Sequence, residues 1–125
     1  MLPNDRFAAA SGAALLALAV ALGAFGAHTL QPLLTEARLA TFETAVRYQF
    51  FHGLGLLAIA ALRLNCRGAA WTMLLGSVIF AGALYIIVAG GPSWFGLVAP
   101  VGGALMITSW FIAFVRIMRK PRIAE

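Results

Sequence analysis

The chain has 125 residues, of which 62% are hydrophobic and only 10% are charged, and its formal net charge is +5. A soluble domain carries about a quarter charged residues, so this composition excludes an ordinary soluble globular domain. It indicates a small polytopic membrane protein.

Two long stretches carry no formal charge, residues 7–30 and residues 68–115, and Gly-Gly-Pro-Ser at 90–93 interrupts the second. A helix needs about 20 apolar residues to cross about 30 Å of hydrocarbon. The stretches therefore allow one transmembrane helix in the first and two in the second, and an apolar segment before Arg63 adds another. We predict an all-α bundle of four transmembrane helices that forms a single integral membrane domain over residues 1–125, with helices at about 7–30, 44–62, 68–89 and 97–118.

The first predicted helix, residues 7–30, is longer than the hydrophobic region of a signal peptide, which has about 7 to 15 residues. We therefore expect it to be retained as a helix. Small residues recur in it every four positions, a spacing that lets helix backbones approach closely in lipid. The two ladders predicted as packing faces are Ala9, Ala13, Ala17 and Ala21, and Ala19, Gly23 and Ala27.

The connection from the first to the second helix is half apolar. Thr35 is a suitable N-cap, and Glu36 would then lie at the positive end of a helix. Two arrangements remain open. Either a short interfacial helix at about 35–43 is followed by a bend, or one rod of ~42 Å extends from Thr35 to Leu62.

The second helix starts with the most polar segment of the chain, Glu43-Thr-Ala-Val-Arg47-Tyr48-Gln49-Phe-Phe-His52. Glu43 and Arg47 share a helical face four residues apart with the acid first, the better order for an ion pair. We predict that Glu43 and acceptors from the first helix, such as His28, hold Arg47. The cluster, which is either structural or a ligand contact at the outer mouth, comprises His28, Glu43, Arg47, Tyr48, Gln49 and His52.

The sequence predicts no catalytic residue, no metal site and no cofactor. Glu43 and His52 would lie roughly 14 Å apart along the helix on opposite faces, beyond the hydrogen-bond reach of an acid–base pair. His28 and His52 are expected at different depths, which argues against a bis-histidine haem. Cys66 is the single cysteine and cannot form a disulfide or a metal site alone.

The fourth predicted helix contains Pro100 shortly before two glycines, and this proline either starts the helix or kinks it. The tryptophans Trp71, Trp94 and Trp110 are assigned to helix ends, where an amphipathic indole is favoured. The residues predicted to pack helices together are Gly23, Gly26, Gly76, Pro100, Gly102 and Gly103.

Four spans place the N-terminus, the second loop and the C-terminus on one side of the membrane. Lysine and arginine are enriched on the cytoplasmic side, so both termini are predicted to be cytoplasmic. This topology explains the positive net charge more simply than a nucleic-acid partner does. Seven of the nine basic residues fall on that side: Arg6, Arg63, Arg67, Arg116, Arg119, Lys120 and Arg122.

Three segments resemble the family called domain of unknown function 423, also known as the transmembrane protein 256 family. They are Gly23-Ala-Phe-Gly26-Ala27-His28, the segment Glu43 to His52, and Ala99-Pro100-Val-Gly102-Gly103. The likeness covers nearly the whole chain in order. It implies a small multi-helix protein of bacterial inner membranes, with relatives in mitochondria, and it implies no activity and no catalytic residue.

Besides the lipid bilayer, the partner we expect is a second copy of the chain or a larger membrane complex. Four helices cannot bury all their small-residue ladders against one another, which favours a non-enzymatic protein that packs as a homo-oligomer or as an accessory subunit. The alternative is an oligomeric small-molecule or ion transporter or facilitator. Proton-coupled transporters generally need an ionisable group deep in the membrane, whereas Glu43 lies at a helix mouth.

Overall fold

A computed structural model describes residues 1–119, which are 86% helical, and the predicted all-α class is confirmed. The α-helices are α1 (Pro3–Phe25), α2 (Glu36–Ala61), α3 (Arg67–Val88) and α4 (Ala99–Arg119). A π-helical turn, Gly26–Leu30, continues α1, and a 3-10 turn, Ser93–Leu97, precedes α4.

The helices pack as antiparallel neighbours in chain order, α1 on α2, α2 on α3 and α3 on α4. Contacts between the first segment and α2 extend from the first turn of α1 to the π-helical turn that continues it. Asp5 in the first turn of α1 contacts the loop after α2, Gly12 lies against Gly53, and Gly26 lies against Phe42 near the opposite end. The second helix is therefore lined by α1 on one side and by α3 on the other.

Among residues 1–119, three helical segments are long and apolar enough to cross a membrane: Pro3–Leu30, Arg67–Val88 and Ser93–Arg119. The remaining helix, α2, is less apolar because its first half carries two glutamates and two arginines, and Gln49 and His52 follow near its middle. Its 26 residues make it ~39 Å long, more than the ~30 Å of a hydrocarbon core. Its length is sufficient to span, while its polarity separates it from the other three.

The second helix begins at Glu36 and is continuous, so the structure has the long rod and not a separate interfacial helix at 35–43 followed by a bend. The Thr35 side chain accepts a hydrogen bond from the Arg38 backbone N–H at 3.2 Å, which confirms Thr35 as the N-cap. The Thr41 hydroxyl donates to the Ala37 carbonyl oxygen at 3.1 Å. No proline or glycine interrupts the segment before residue 53, so nothing in it favours a bend.

Two proline residues set helix starts. Pro3 occupies the first position of α1, so this helix begins four residues before the expected residue 7. Pro100 is the second residue of α4 and therefore starts that helix instead of kinking it. The other end of α1 changes to π-helical bonding, with the Gln31 N–H donating to the Gly26 carbonyl oxygen at 3.0 Å.

Within the bundle, α1 does not pack through the first alanine ladder predicted from the sequence. Ala13, Ala17 and Ala21 are exposed. A step of four residues turns 400° around a helix, so a strict four-residue ladder drifts by about 40° per step and leaves the contact line. The buried positions alternate steps of three and four residues: Asp5, Ala8, Gly12, Leu15 and Ala19.

Glycines allow the helix backbones to touch at two crossings. A Cβ atom at Gly12 would lie 2.6 Å from the Gly53 carbonyl oxygen, between α1 and α2. A Cβ at Gly76 would lie 2.9 Å from the Gly102 carbonyl oxygen, between α3 and α4. Both separations are too short for a side-chain carbon, so each crossing requires glycine.

The other residues predicted to pack helices differ among themselves. A Cβ at Gly26 would lie 2.5 Å from the Phe42 ring, which is a close contact. A Cβ at Gly23 would make an ordinary contact of 3.6 Å with α2. Pro100 is exposed, and a Cβ at Gly103 would meet no atom within 4 Å, so no close contact within the described residues requires glycine at 103. One helical step, 100° of rotation, separates Gly103 from the contact at Gly102.

We expect Gly102→Ala to lower the thermal unfolding temperature in detergent, while Gly103→Ala leaves it unchanged or slightly higher. The first change places a methyl group against the backbone of α3, and overpacking costs about 1–3 kcal/mol. The second adds a methyl group in open space and improves helix propensity by up to about 1 kcal/mol. Circular dichroism melting of both variants checks this, and equal unfolding temperatures would contradict the close α3–α4 contact.

Candidate functional site

The polar residues predicted as one cluster on α2 divide between two faces of the helix. Gln49 and His52 are buried, with 5% and 6% of their surfaces exposed, whereas Glu43 and Arg47 are exposed. Tyr48 lies between these faces with 40% exposure. The structure therefore contains a buried polar network and, separately, two charged residues at the surface of the bundle.

Gln49 connects three helices. Its amide nitrogen donates to the Leu15 carbonyl oxygen of α1 at 2.9 Å, and its amide oxygen accepts from the Tyr85 hydroxyl of α3 at 2.7 Å. The two partners fix the orientation of the amide, because a carbonyl oxygen only accepts and the phenol donates here. Sequence reasoning missed both partners. A backbone carbonyl such as that of Leu15 cannot be recognised from the sequence as a hydrogen-bond partner.

His52 connects α2 with α4. Its Nδ1 lies 2.7 Å from the Tyr48 carbonyl oxygen, so Nδ1 carries the proton and donates. The indole N–H of Trp110 donates to Nε2 at 3.1 Å, which requires an unprotonated Nε2. The ring is therefore a neutral imidazole with both nitrogens engaged. Within residues 1–119, no three histidine, cysteine, aspartate or glutamate side chains come together as metal ligands would.

Trp110 lies in the middle of α4, not at a helix end as expected. Its indole ring fills the space left by Gly55, where a Cβ would lie 2.9 Å from the ring. Trp110 is 44% exposed, but its N–H lies inside the bundle, where it needs a partner and finds the acceptor in His52. An interior partner removes the reason for an interfacial position, and the sequence signal for this arrangement was the glycine on α2.

Glu43 and Arg47 do not form the predicted ion pair. Within the described residues neither side chain makes a hydrogen bond or an ion pair, and His28 lies exposed in the π-helical turn without contacting Arg47. An exposed pair gains little free energy relative to the side-chain entropy it loses. Both residues instead line a groove of about 260 Å³ between α1 and α2, together with Gly23, Gly26, Ala27, Leu39, Phe42, Val46 and Phe50.

Asp5 is a buried acid that sequence reasoning missed. It is 1% exposed, and its carboxylate accepts from the backbone N–H of Asn65 at 2.7 Å. Asn65 has a φ of 44°, in the left-handed region, so the carboxylate stabilises a strained loop. The guanidinium Nε of Arg116 donates to the Leu64 carbonyl oxygen at 3.0 Å. The start of α1, the loop after α2 and the last turns of α4 therefore meet at one end of the bundle.

Comparison with known proteins matches the sequence to a family. The family model described as "Protein of unknown function (DUF423)" matches residues 22–103. A UPF0382 membrane protein of Staphylococcus haemolyticus is 37% identical over 108 residues, which cover 83% of this chain and 88% of the relative. The UPF0382 inner membrane protein YgdD of Escherichia coli is 34% identical over 122 residues, which cover 93% of this chain and 89% of YgdD. No solved structure matches the chain.

We expect Gln49→Leu and His52→Leu to lower the unfolding temperature in detergent more than Glu43→Gln does. Each of the first two changes leaves a half-buried donor, the Tyr85 hydroxyl or the Trp110 N–H, without its acceptor, at about 1 kcal/mol or more. Glu43 makes no contact that the third change would remove, so its effect should be about 1 kcal/mol or less. A larger loss in Glu43→Gln than in either network variant would show that the surface charges, and not the network, hold the helices.

Proposed function

Because the chain belongs to the DUF423 family of membrane proteins, we propose that it is a non-enzymatic protein of the bacterial inner membrane that acts by packing with itself or as an accessory subunit of a larger membrane complex. The proposal has three parts, which are the number of spans, their orientation and the packing surface. Each rests on a different observation.

All four helices cross the membrane in this proposal, including the less apolar α2. This helix packs antiparallel against α1 and α3, both of which are long and apolar enough to span. A helix that lies along two spanning neighbours occupies the same depth as they do. Its buried polar groups, Gln49 and His52, have hydrogen-bond partners in other helices, which lowers their cost inside a bilayer.

Both termini lie on the cytoplasmic side in this proposal. The contacts of Asp5 with Asn65 and of Arg116 with Leu64 bring the N-terminus, the second loop and the end of α4 to one end of the bundle. An excess of lysine and arginine marks the cytoplasmic side. The described basic residues at that end are Arg6, Arg63, Arg67, Arg116 and Arg119, while Lys120 and Arg122 lie outside the described residues.

Cysteine labelling tests both topological statements. We expect the native Cys66, in the loop before α3, to react with a membrane-impermeant maleimide in inside-out vesicles and not in intact cells. In a Cys66→Ser background, Leu33→Cys in the first loop and Ser93→Cys in the third should react in intact cells. Leu33 is 73% exposed, which makes it accessible. Reaction at positions 33 and 66 from the same side would show that α2 does not cross.

The packing surface in this proposal is the exposed alanine ladder of α1. Ala13, Ala17 and Ala21 lie on the side of α1 that has no neighbour within the described bundle. In lipid, small residues at this spacing permit close helix–helix contact, because association there depends on packing. Both ring nitrogens of His52 are already hydrogen-bonded, which favours a structural role over proton-coupled transport through that residue.

Ala17→Leu is expected to convert an oligomer of the wild-type chain into a monomer. The larger side chain would hold a second helix away from the ladder, whereas Ala104→Leu, at an exposed alanine of α4, should leave the assembly unchanged. Photobleaching step counts of single labelled complexes in liposomes measure the copy number. Single-step bleaching of the wild type at every protein-to-lipid ratio, with no protein co-purifying in stoichiometric amount, would contradict the proposal.

A further inference from the structure

We propose that the groove between α1 and α2 binds an aminophospholipid, with the lipid phosphate at Arg47, the primary ammonium at Glu43 and the start of an acyl chain along the apolar wall. The groove has a volume of about 260 Å³. Glu43 and Arg47 are the only charged residues that line it within the described part of the chain.

The walls of the groove suit hydrocarbon. Val46 and Phe50 of α2 face Gly23 of α1, and a Cβ at Gly23 would reach no closer than 3.6 Å to the Val46 side chain. The small residue therefore leaves a furrow on the surface of α1. The furrow is open to the outside of the bundle. An acyl chain of a lipid in the surrounding bilayer can therefore enter it from the side.

The two charges lie in the order of an aminophospholipid headgroup. Glu43 and Arg47 are separated by four residues, which places them on one face about 6 Å apart along the axis. Glu43 is nearer to the start of α2, and that start lies at the membrane surface if α2 crosses as proposed above. The lipid phosphate is attached to the glycerol, with the ammonium one ethanolamine unit farther out. Arg47 is therefore level with the phosphate, and Glu43 is level with the ammonium.

Both charges are available for a ligand. Within residues 1–119 neither Glu43 nor Arg47 makes an ion pair or a hydrogen bond. A guanidinium matches the geometry of phosphate oxygens with paired N–H donors, and a carboxylate accepts hydrogen bonds from a primary ammonium. A quaternary choline offers no N–H to Glu43, and a glycerol headgroup offers no cation. The predicted order of affinity is phosphatidylethanolamine, then phosphatidylcholine, then phosphatidylglycerol.

The test is a titration of the delipidated full-length protein in non-ionic detergent with these three lipids carrying identical acyl chains, followed by native mass spectrometry. We expect the wild type to bind phosphatidylethanolamine about tenfold more tightly than phosphatidylglycerol. Glu43→Gln should remove this preference. Arg47→Gln should weaken binding of all three lipids about tenfold or more, since hydrogen bonds to charged groups are the stronger ones. Arg38→Gln, which changes an exposed cation of the same helix outside the groove, is the matched control and should change nothing.

A second pair of variants tests the apolar wall. Gly23→Leu fills the furrow and should abolish binding of every lipid, whereas Gly103→Leu, in open space on α4, should not. Equal binding of the three lipids by the wild type, or an unchanged preference in Glu43→Gln, would overturn the proposal. A change in oligomeric mass of Gly23→Leu with unchanged lipid binding would assign the groove to a second copy of the chain and would also overturn it.

Different measurements test the lipid site and the proposed topology. Cysteine labelling at position 33 reports whether α2 crosses, with no lipid titration involved. If α2 crosses and the headgroup preference is absent, the lipid site alone is wrong. If positions 33 and 66 react from one side, the depth argument for Glu43 and Arg47 loses its basis as well.

Discussion

The constraint on which this bundle depends is the contact of helix backbones at glycine. Gly12 lies against the Gly53 carbonyl oxygen, and Gly76 lies against that of Gly102. Water does not drive helices together inside a bilayer, so their association depends on close packing and on hydrogen bonds. The contact at Gly12 and Gly53 brings α2 near enough for Gln49 to reach the Leu15 carbonyl at 2.9 Å. Packing at glycine therefore permits the polar network.

The network in turn explains how a helix with polar residues is accommodated among apolar ones. Gln49 bonds to α1 and α3, and His52 bonds to α4 through Trp110. The Trp110 ring reaches His52 because Gly55 leaves room for it. Gln49 and His52 each have a hydrogen-bond partner on another helix, so these two polar residues of α2 also orient it. A lower hydropathy in α2 is then compatible with a stable position between α1 and α3, with the bond from Trp110 of α4 added.

Much of the fold could be predicted from the sequence, because charge-free runs, prolines and the Thr35 cap act locally. The site could be predicted only in part. The contact at Gly76 and Gly102 involves two residues that the sequence predicts to pack helices together. Of the two ladders predicted as packing faces of α1, Ala19 is buried within the bundle while Ala13, Ala17 and Ala21 are exposed. The position of Trp110 was predicted wrongly, and both outcomes depend on which neighbour each helix meets. Asp5 was missed because its partner is the backbone of a loop far along the chain.

The two faces of α2 have separable roles. Gln49 and His52 are buried and bonded, so the bundle depends on them, whereas Glu43 and Arg47 are exposed and contact no charged group among residues 1–119. An unpaired charge near the end of a membrane helix is tolerated because it can extend to the interface, but it does not stabilise the fold. Both charged groups can therefore bind a partner outside the chain without breaking a contact within it. Glu43 and Arg47 lie on the face of α2 opposite the hydrogen-bond network. Substitutions at these two residues can therefore be tested for binding without removing the hydrogen bonds that hold the bundle.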